Sequence, residues 1–177
     1  MSAPVALPTS LPLRAAMEAR DLTAVVDAFS ADAVIHSPLT GRLTFRGREQ
    51  IRATMQVILE VFDELHYTDE LRDGDSAMLL ASARVDGTDI DILDHMRLDQ
   101  SGKIRELTVF FRPMPAIAVA MRLIGSGLGC RRSRARGQVI ALMTRPLGLM
   151  TASGDRLGVR LIGPTLPSPP SATKEEP

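Results

Sequence analysis

Aromatic side chains are scarce in this sequence. They make up 3% of 177 residues, with no tryptophan and one tyrosine, Tyr67. A core must therefore be filled by aliphatic residues and by the nine methionines, and stacking platforms for single-stranded nucleic acid are not to be expected. A single cysteine, Cys130, excludes an internal disulfide and a cysteine-ligated zinc site; beside Arg131 it reads as a reactive thiol or as an incidental one. His36, His66 and His95 are far apart and lack metal-ligand spacing, so no metal is expected. No run of 18 apolar residues occurs, and the best stretch, 117–128, is interrupted by Arg122, which argues against a simple membrane span. The opening MSAPVALPTSLPLR has three prolines and no basic start, unlike a secretory signal. The expected location is cytoplasmic. Gly125-Ser126-Gly127-Leu128-Gly129 follows a helical pattern rather than a strand, so it is neither a dinucleotide fingerprint nor a nucleophile elbow and reads as a helix stop. No phosphate-cradling lysine motif is present, and no cofactor is expected.

What is present is an ordinary globular composition, 45% apolar and 24% charged, of about one domain's length. Its net charge of zero hides an asymmetry. Residues 1–111 carry 11 basic and 18 acidic side chains, whereas residues 112–163 carry nine arginines and only Asp155 as an acid. Such a split implies two differently behaving parts of one chain.

Helical spacing predicts a first helix over Leu13–Arg20 and a second, capped by Asp21, to Phe29. Short extended pieces follow at Ala33–Ser37 and Leu43–Arg46. A helix from Gly47 to about Val61 carries Ile51, Met55, Ile58 and Leu59 on one side. The period then changes to two. Strands are expected around Leu65–Leu71, with Leu65, Tyr67 and Leu71 on one face, then at Ala77–Val85, Thr88–Leu98 and Lys103–Arg112. Tight turns at Asp73-Gly74, Asp86-Gly87 and Ser101-Gly102 make an antiparallel meander the simplest topology, in an α+β fold. Beyond Pro113 the spacing predicts a helix over Pro115–Leu128, with Ile117, Met121, Ile124 and Leu128 on one side. A basic cluster follows at Arg131, Arg132, Arg134 and Arg136, then an apolar segment over Val139–Met150 broken at Pro146. The expected organisation is a flexible 1–10, a domain over 11–128, a basic and partly helical extension over 129–163, and a disordered proline-rich tail over 164–177.

The most informative stretch is Asp89–Leu98. Alternation puts Ile90, Ile92, Asp94, Met96 and Leu98 on one face, so Asp94 stands within an apolar row. A carboxylate there must be paired, hydrogen-bonded or protonated. A neutral acid can donate a hydrogen bond to a developing oxyanion. An internal aspartate satisfied by the protein itself is the alternative.

Ala19-Arg20-Asp21-Leu22, Phe29-Ser30-Ala31-Asp32-Ala33, His36-Ser37-Pro38, Phe45-Arg46-Gly47-Arg48-Glu49-Gln50-Ile51 and Asp94-His95-Met96-Arg97 occur in an order that resembles the nuclear transport factor 2-like superfamily. Its SnoaL-like and ketosteroid-isomerase-like branches are the most similar, over about Leu13–Leu128. The resemblance implies a cone-shaped curved sheet around helices, an apolar pocket at its open end, and frequent homodimers. The superfamily includes isomerases, polyketide cyclases, epoxide hydrolases, binding modules and transport adaptors, so fold alone does not decide function. Asp94 matches the isomerases' protonated oxyanion-hole aspartate. Their general base falls on Ser37, a poor proton acceptor near neutral pH, and their oxyanion-hole tyrosine falls on Leu13, which has no donor. His36 is the nearest replacement base, although alternation turns it away from Ser37. Ser37, Tyr67, Phe29, Met55 and Met96 are the expected ligand-lining residues.

Two readings follow. One is a binder of a small apolar or polycyclic molecule, catalytic if proton transfer beside a carbonyl occurs with Asp94 on the oxyanion. The other is a non-catalytic binding or dimerisation module. For residues 112–163, docking on the acidic domain, contact with an anionic membrane surface, and binding of nucleic acid or a partner protein all stay open. The arginines form no clean stripe, so sequence-specific nucleic-acid recognition is not expected.

Overall fold

The computed structural model describes residues 11–162; the expected flexible 1–10 and disordered 164–177 lie outside the described residues. Helix α1, Pro12–Glu18, opens with proline in its first turn, where the missing N–H costs nothing, and buries Leu13, Ala16 and Met17. Helix α2, Leu22–Asp27, is capped by Asp21, whose carboxylate accepts from the Thr23 and Ala24 N–H groups at 2.9 and 3.0 Å. Strand β1, Phe29–His36, starts earlier than expected and takes in the polar Ser30–Asp32 segment through an irregularity. Strand β2 is Thr44–Arg46. Helix α3 is Gly47–Val61, its apolar side buried around Ile51, Met55 and Val57.

Strands β3 (Phe62–Asp73), β4 (Ser76–Val85), β5 (Thr88–Leu98) and β6 (Ile104–Arg112) form the expected antiparallel meander. The six-stranded order is β2-β1-β6-β5-β4-β3, with β1 parallel to β6. This curved, unclosed sheet wraps its apolar face around α1–α3 in a mixed α+β fold. Strand β5 alternates as read from the sequence, with Ile90, Ile92, Asp94, Met96 and Leu98 all buried. Strand β3 departs from alternation. Register shifts between Asp63 and His66 and between Tyr67 and Asp69 turn Leu71 outward, 68% exposed, and bring Glu70 in to accept from the Leu11 N–H at 2.7 Å.

Helix α4 runs over Met114–Arg132 and α5 over Arg134–Ile162, as a hairpin. The expected stop at Gly125–Gly129 is corrected: α4 continues through these glycines to Arg132. These glycines are close-packing notches. A Cβ on Gly127 would lie 2.9 Å from Val57 Cγ1 of α3, and one on Gly129 would lie 2.8 Å from Ile140 Cδ1 of α5. Nor does Pro146 break the second segment. Pro146 and Leu142, whose carbonyl loses its partner, are both exposed, so water can take the vacant bond.

Gly137 faces α4, where an added Cβ would meet Cys130 and lie 2.9 Å from the Ser126 carbonyl oxygen. Gly137→Val should therefore destabilise the protein by about 1–3 kcal/mol. Gly148→Ala, in open space on the same helix, should stabilise it by about 0.5–1 kcal/mol. Thermal denaturation of the two variants checks both signs.

Candidate functional site

A cavity of about 100 Å³ lies between the concave face of the sheet, helices α1, α3 and α4, and the 37–43 loop. Its walls are apolar, with Phe45, Phe62 and Phe111 among aliphatic side chains, except for four polar ones: Ser37, Thr54, Tyr67 and Asp94. Two of these are engaged locally. The Thr54 hydroxyl donates to the Gln50 carbonyl at 2.8 Å, and the Ser37 hydroxyl accepts from the Leu39 N–H at 3.2 Å. Ser37 keeps its O–H donor, and Tyr67 and Asp94 are the polar pair that face each other across the space.

Asp94 stands at the middle of β5, in register with Leu79 of β4 and Val109 of β6, and is 6% exposed. Its one partner among the described residues is the Tyr67 hydroxyl, which donates to Oδ2 at 3.4 Å, longer than a tight O–H···O bond. Burial pushes the Asp94 carboxyl up to about 7, with the Tyr67 bond pulling modestly the other way. Burial, and then the Asp94 charge, hold the Tyr67 hydroxyl far above its ordinary range, so it stays protonated. Tyr67 reaches Asp94 diagonally across the intervening strand β4, where Tyr67 is in register with Ala81 and Asp94 with Leu79.

The other expected site residues divide. Met55 and Ser37 line the cavity, as does Leu13, which offers no donor. Phe29 and Met96 do not line it; both are core residues, 2% and 0% exposed. His36 is turned out of the cavity, because Ile35 takes the inward position on β1, and its Nε2 sits 2.9 Å from Glu106 Oε1. Among the described lining residues there is no histidine and no carboxylate besides Asp94. No group of three histidine, cysteine or acidic side chains among the described residues is arranged to hold a metal ion. The reading of ligand-lining residues missed Leu39, Leu43 and Phe45 beside the mouth, and Ile124, Gly125 and Leu128 from α4. For Ile124 and Leu128 the signal was the one-sided apolar spacing after Pro113.

This sheet-and-helix arrangement has the nuclear transport factor 2-like form. A protein with a cystatin-like fold from Silicibacter pomeroyi superposes with a TM-score of 0.63 at 21% identity, covering 73% of this chain and 89% of the other. A nuclear transport factor 2-like protein from Burkholderia xenovorans gives 0.52 at 20%, covering 56% and 77%. Residues 13–107 match the family model of the SnoaL-like domain, and the chain belongs to that family. A steroid delta-isomerase from Pseudomonas aeruginosa is 27% identical, with a TM-score of 0.59 over 73% of this chain and 98% of that one. No curated protein sequence matches the chain.

The raised Asp94 carboxyl makes stability depend on pH with a defined sign. Its ordinary value is 3.8 and its folded value about 7, so between these the native state binds the extra proton. The contribution is favourable at low pH and is lost as pH rises toward and through 7. Asp94→Asn removes it. Relative to the native sequence, the variant should be near neutral at pH 4 and more stable by about 2–4 kcal/mol at pH 8. Denaturant titrations of both proteins across this range measure the difference.

Proposed function

We propose that the protein binds a small apolar molecule carrying a carbonyl or hydroxyl oxygen, and holds that oxygen with Asp94 and Tyr67. The observation that carries this reading is the pair itself: a carboxyl that can stay neutral near pH 7 and a phenol, 3.4 Å apart at the wall of an apolar cavity. A ligand oxygen about 2.7 Å from each would replace one loose contact with two short ones. Tyr67 thus supplies the second donor that Leu13 lacks. An engineered cavity of about 150 Å³ accommodates benzene, so the guest that fits without rearrangement is smaller still. A polycyclic guest requires the 37–43 loop or α4 to move aside.

A catalytic reading, proton transfer beside a carbonyl with Asp94 on the oxyanion, is favoured by the likeness to the steroid delta-isomerase. It lacks a base: Ser37 occupies the matched position, and His36 faces outward. Binding is therefore the reading adopted.

Ketones smaller than benzene, such as acetone and cyclobutanone, with their hydrocarbon analogues as controls, test it by calorimetry and ligand-observed NMR. Ketone affinity should fall as pH rises through about 7, because ionised Asp94 no longer donates. Asp94→Asn keeps a donor and should bind ketones independently of pH, whereas Asp94→Leu combined with Tyr67→Phe should bind them weakly at every pH. Failure of every oxygenated probe to bind, or equal binding of ketone and hydrocarbon, overturns the reading.

A homodimer across the outer face of the sheet is part of the same proposal. Leu80, Leu93 and Phe110 lie opposite one another across β4, β5 and β6, and Phe110 is 53% exposed. This apolar row on a solvent-facing sheet is suited to a second copy. Phe110→Glu should convert a dimer into a monomer in sedimentation-velocity runs; a native protein that is monomeric at high concentration would refute it.

A further inference from the structure

We infer that the exposed face of helix α5 docks the protein on an anionic membrane surface. The first observation is a division among the arginines of the C-terminal segment. Arg112, Arg122 and Arg131 pair with acidic residues of the body, Asp91 at 2.6 Å, Asp86 at 2.7 Å and Glu60 at 3.0 Å. The exposed side chains of Arg132, Arg134, Arg136 and Arg145 have no ion pair or hydrogen bond to any described residue. Of the seven arginines in this segment whose side chains are described, docking on the protein's own acidic body thus accounts for three and leaves four facing outward.

The second observation is an apolar stripe beside them. Along α5, Gly137, Ile140, Ala141 and Thr144 recur at helical spacing on the side packed against α4. On the opposite side stand Val139, Leu142, Met143, Met150 and Leu157, between 55% and 76% exposed. Residues 142, 143, 150 and 157 lie 3, 4, 11 and 18 positions after 139, which is one continuous stripe at 3.6 residues per turn.

The neighbouring charge identifies the occupant. A second copy docked through the same stripe would cover the apolar side chains but bring the arginines no acid from it, because Val139, Leu142, Met143, Met150 and Leu157 carry no carboxylate. A nucleic acid would satisfy the arginines but leave the apolar stripe against phosphates. An anionic bilayer satisfies both: the stripe enters the acyl boundary and the arginines reach the headgroups. No described helix is long and apolar enough to cross a membrane, so α5 would lie in the interface plane. This inference stands on a different surface from the cavity and holds whether or not the cavity takes a guest.

The test is co-sedimentation of the full chain with vesicles of phosphatidylcholine alone and of a three-to-one mixture with phosphatidylserine. Partitioning should be at least about tenfold stronger on the anionic vesicles and should weaken as salt is raised. Leu142→Asp with Met143→Asp should abolish binding to both. Arg134→Gln, Arg136→Gln and Arg145→Gln together should remove the preference for phosphatidylserine. All of these side chains are exposed, and circular dichroism verifies that the variants stay folded. Absence of binding by the folded native chain overturns the inference, as does undiminished binding by both variants. Self-association lost in the Leu142/Met143 variant, without vesicle binding, would assign the face to a second copy instead.

Discussion

An acid is held inside an aliphatic wall by the strand that carries it. Sliding β5 by one residue would release Asp94 to water, but it would also turn Ile90, Ile92, Met96 and Leu98 outward. Burying each such side chain is worth about 1.5–3 kcal/mol. Four of them together outweigh the few kcal/mol that a buried, partly satisfied carboxyl costs. The register is therefore decided by the neighbours, and Asp94 responds in the one way left to it, by keeping its proton to higher pH. The cavity's polarity, the contact with Tyr67 and the pH dependence of stability all follow from this constraint.

How much of this could be read from the sequence varies with the strand. In β5 the apolar face is regular, and strict alternation placed Asp94 inside with no further information. The same rule turned His36 outward, as it lies beside Ile35 on β1. In β3 alternation failed for a backbone reason. Glu64 adopts a left-handed conformation, φ 51°, beside the first register shift, and a second shift follows Tyr67. Leu71 and Glu70 thereby exchange faces. Glu70 comes inward because the Leu11 N–H and Arg14 are there to meet it. The Tyr67–Asp94 contact was also illegible. It joins β3 and β5, which are not neighbours, diagonally across β4.

The C-terminal segment was misread where a local rule met a tertiary one. Glycine in a helical pattern usually marks an end, but Gly125, Gly127 and Gly129 let α4 approach α3 and α5 more closely than any side chain would allow. The apolar residues from Pro115 to Leu128 were legible as one side of a helix. What spacing cannot tell is that this helix seals a cavity whose other walls lie in the preceding hundred residues. The family match ends at Leu107, so α4 and α5 lie beyond the part of the chain that the family defines.

Which wall yields to a guest larger than the cavity follows from how each wall is held. The sheet is tied by hydrogen-bonded ladders on both sides of β1, β6, β5 and β4, and opening it would break several bonds at once. Helix α3 sits beneath its own row of large buried side chains. Helix α4 buries Ala116, Ala118, Ala120 and Ile124, mostly small residues that release little apolar area if withdrawn. Its ion pairs to the body, Arg122–Asp86 and Arg131–Glu60, are solvent-exposed and contribute about 1 kcal/mol or less each. Ile124 and Leu128, the α4 side chains that narrow the cavity, are thus carried on a wall that the sheet's hydrogen bonds do not hold. Displacement of α4, like that of the 37–43 loop, leaves the sheet register, and with it the position of Asp94, intact.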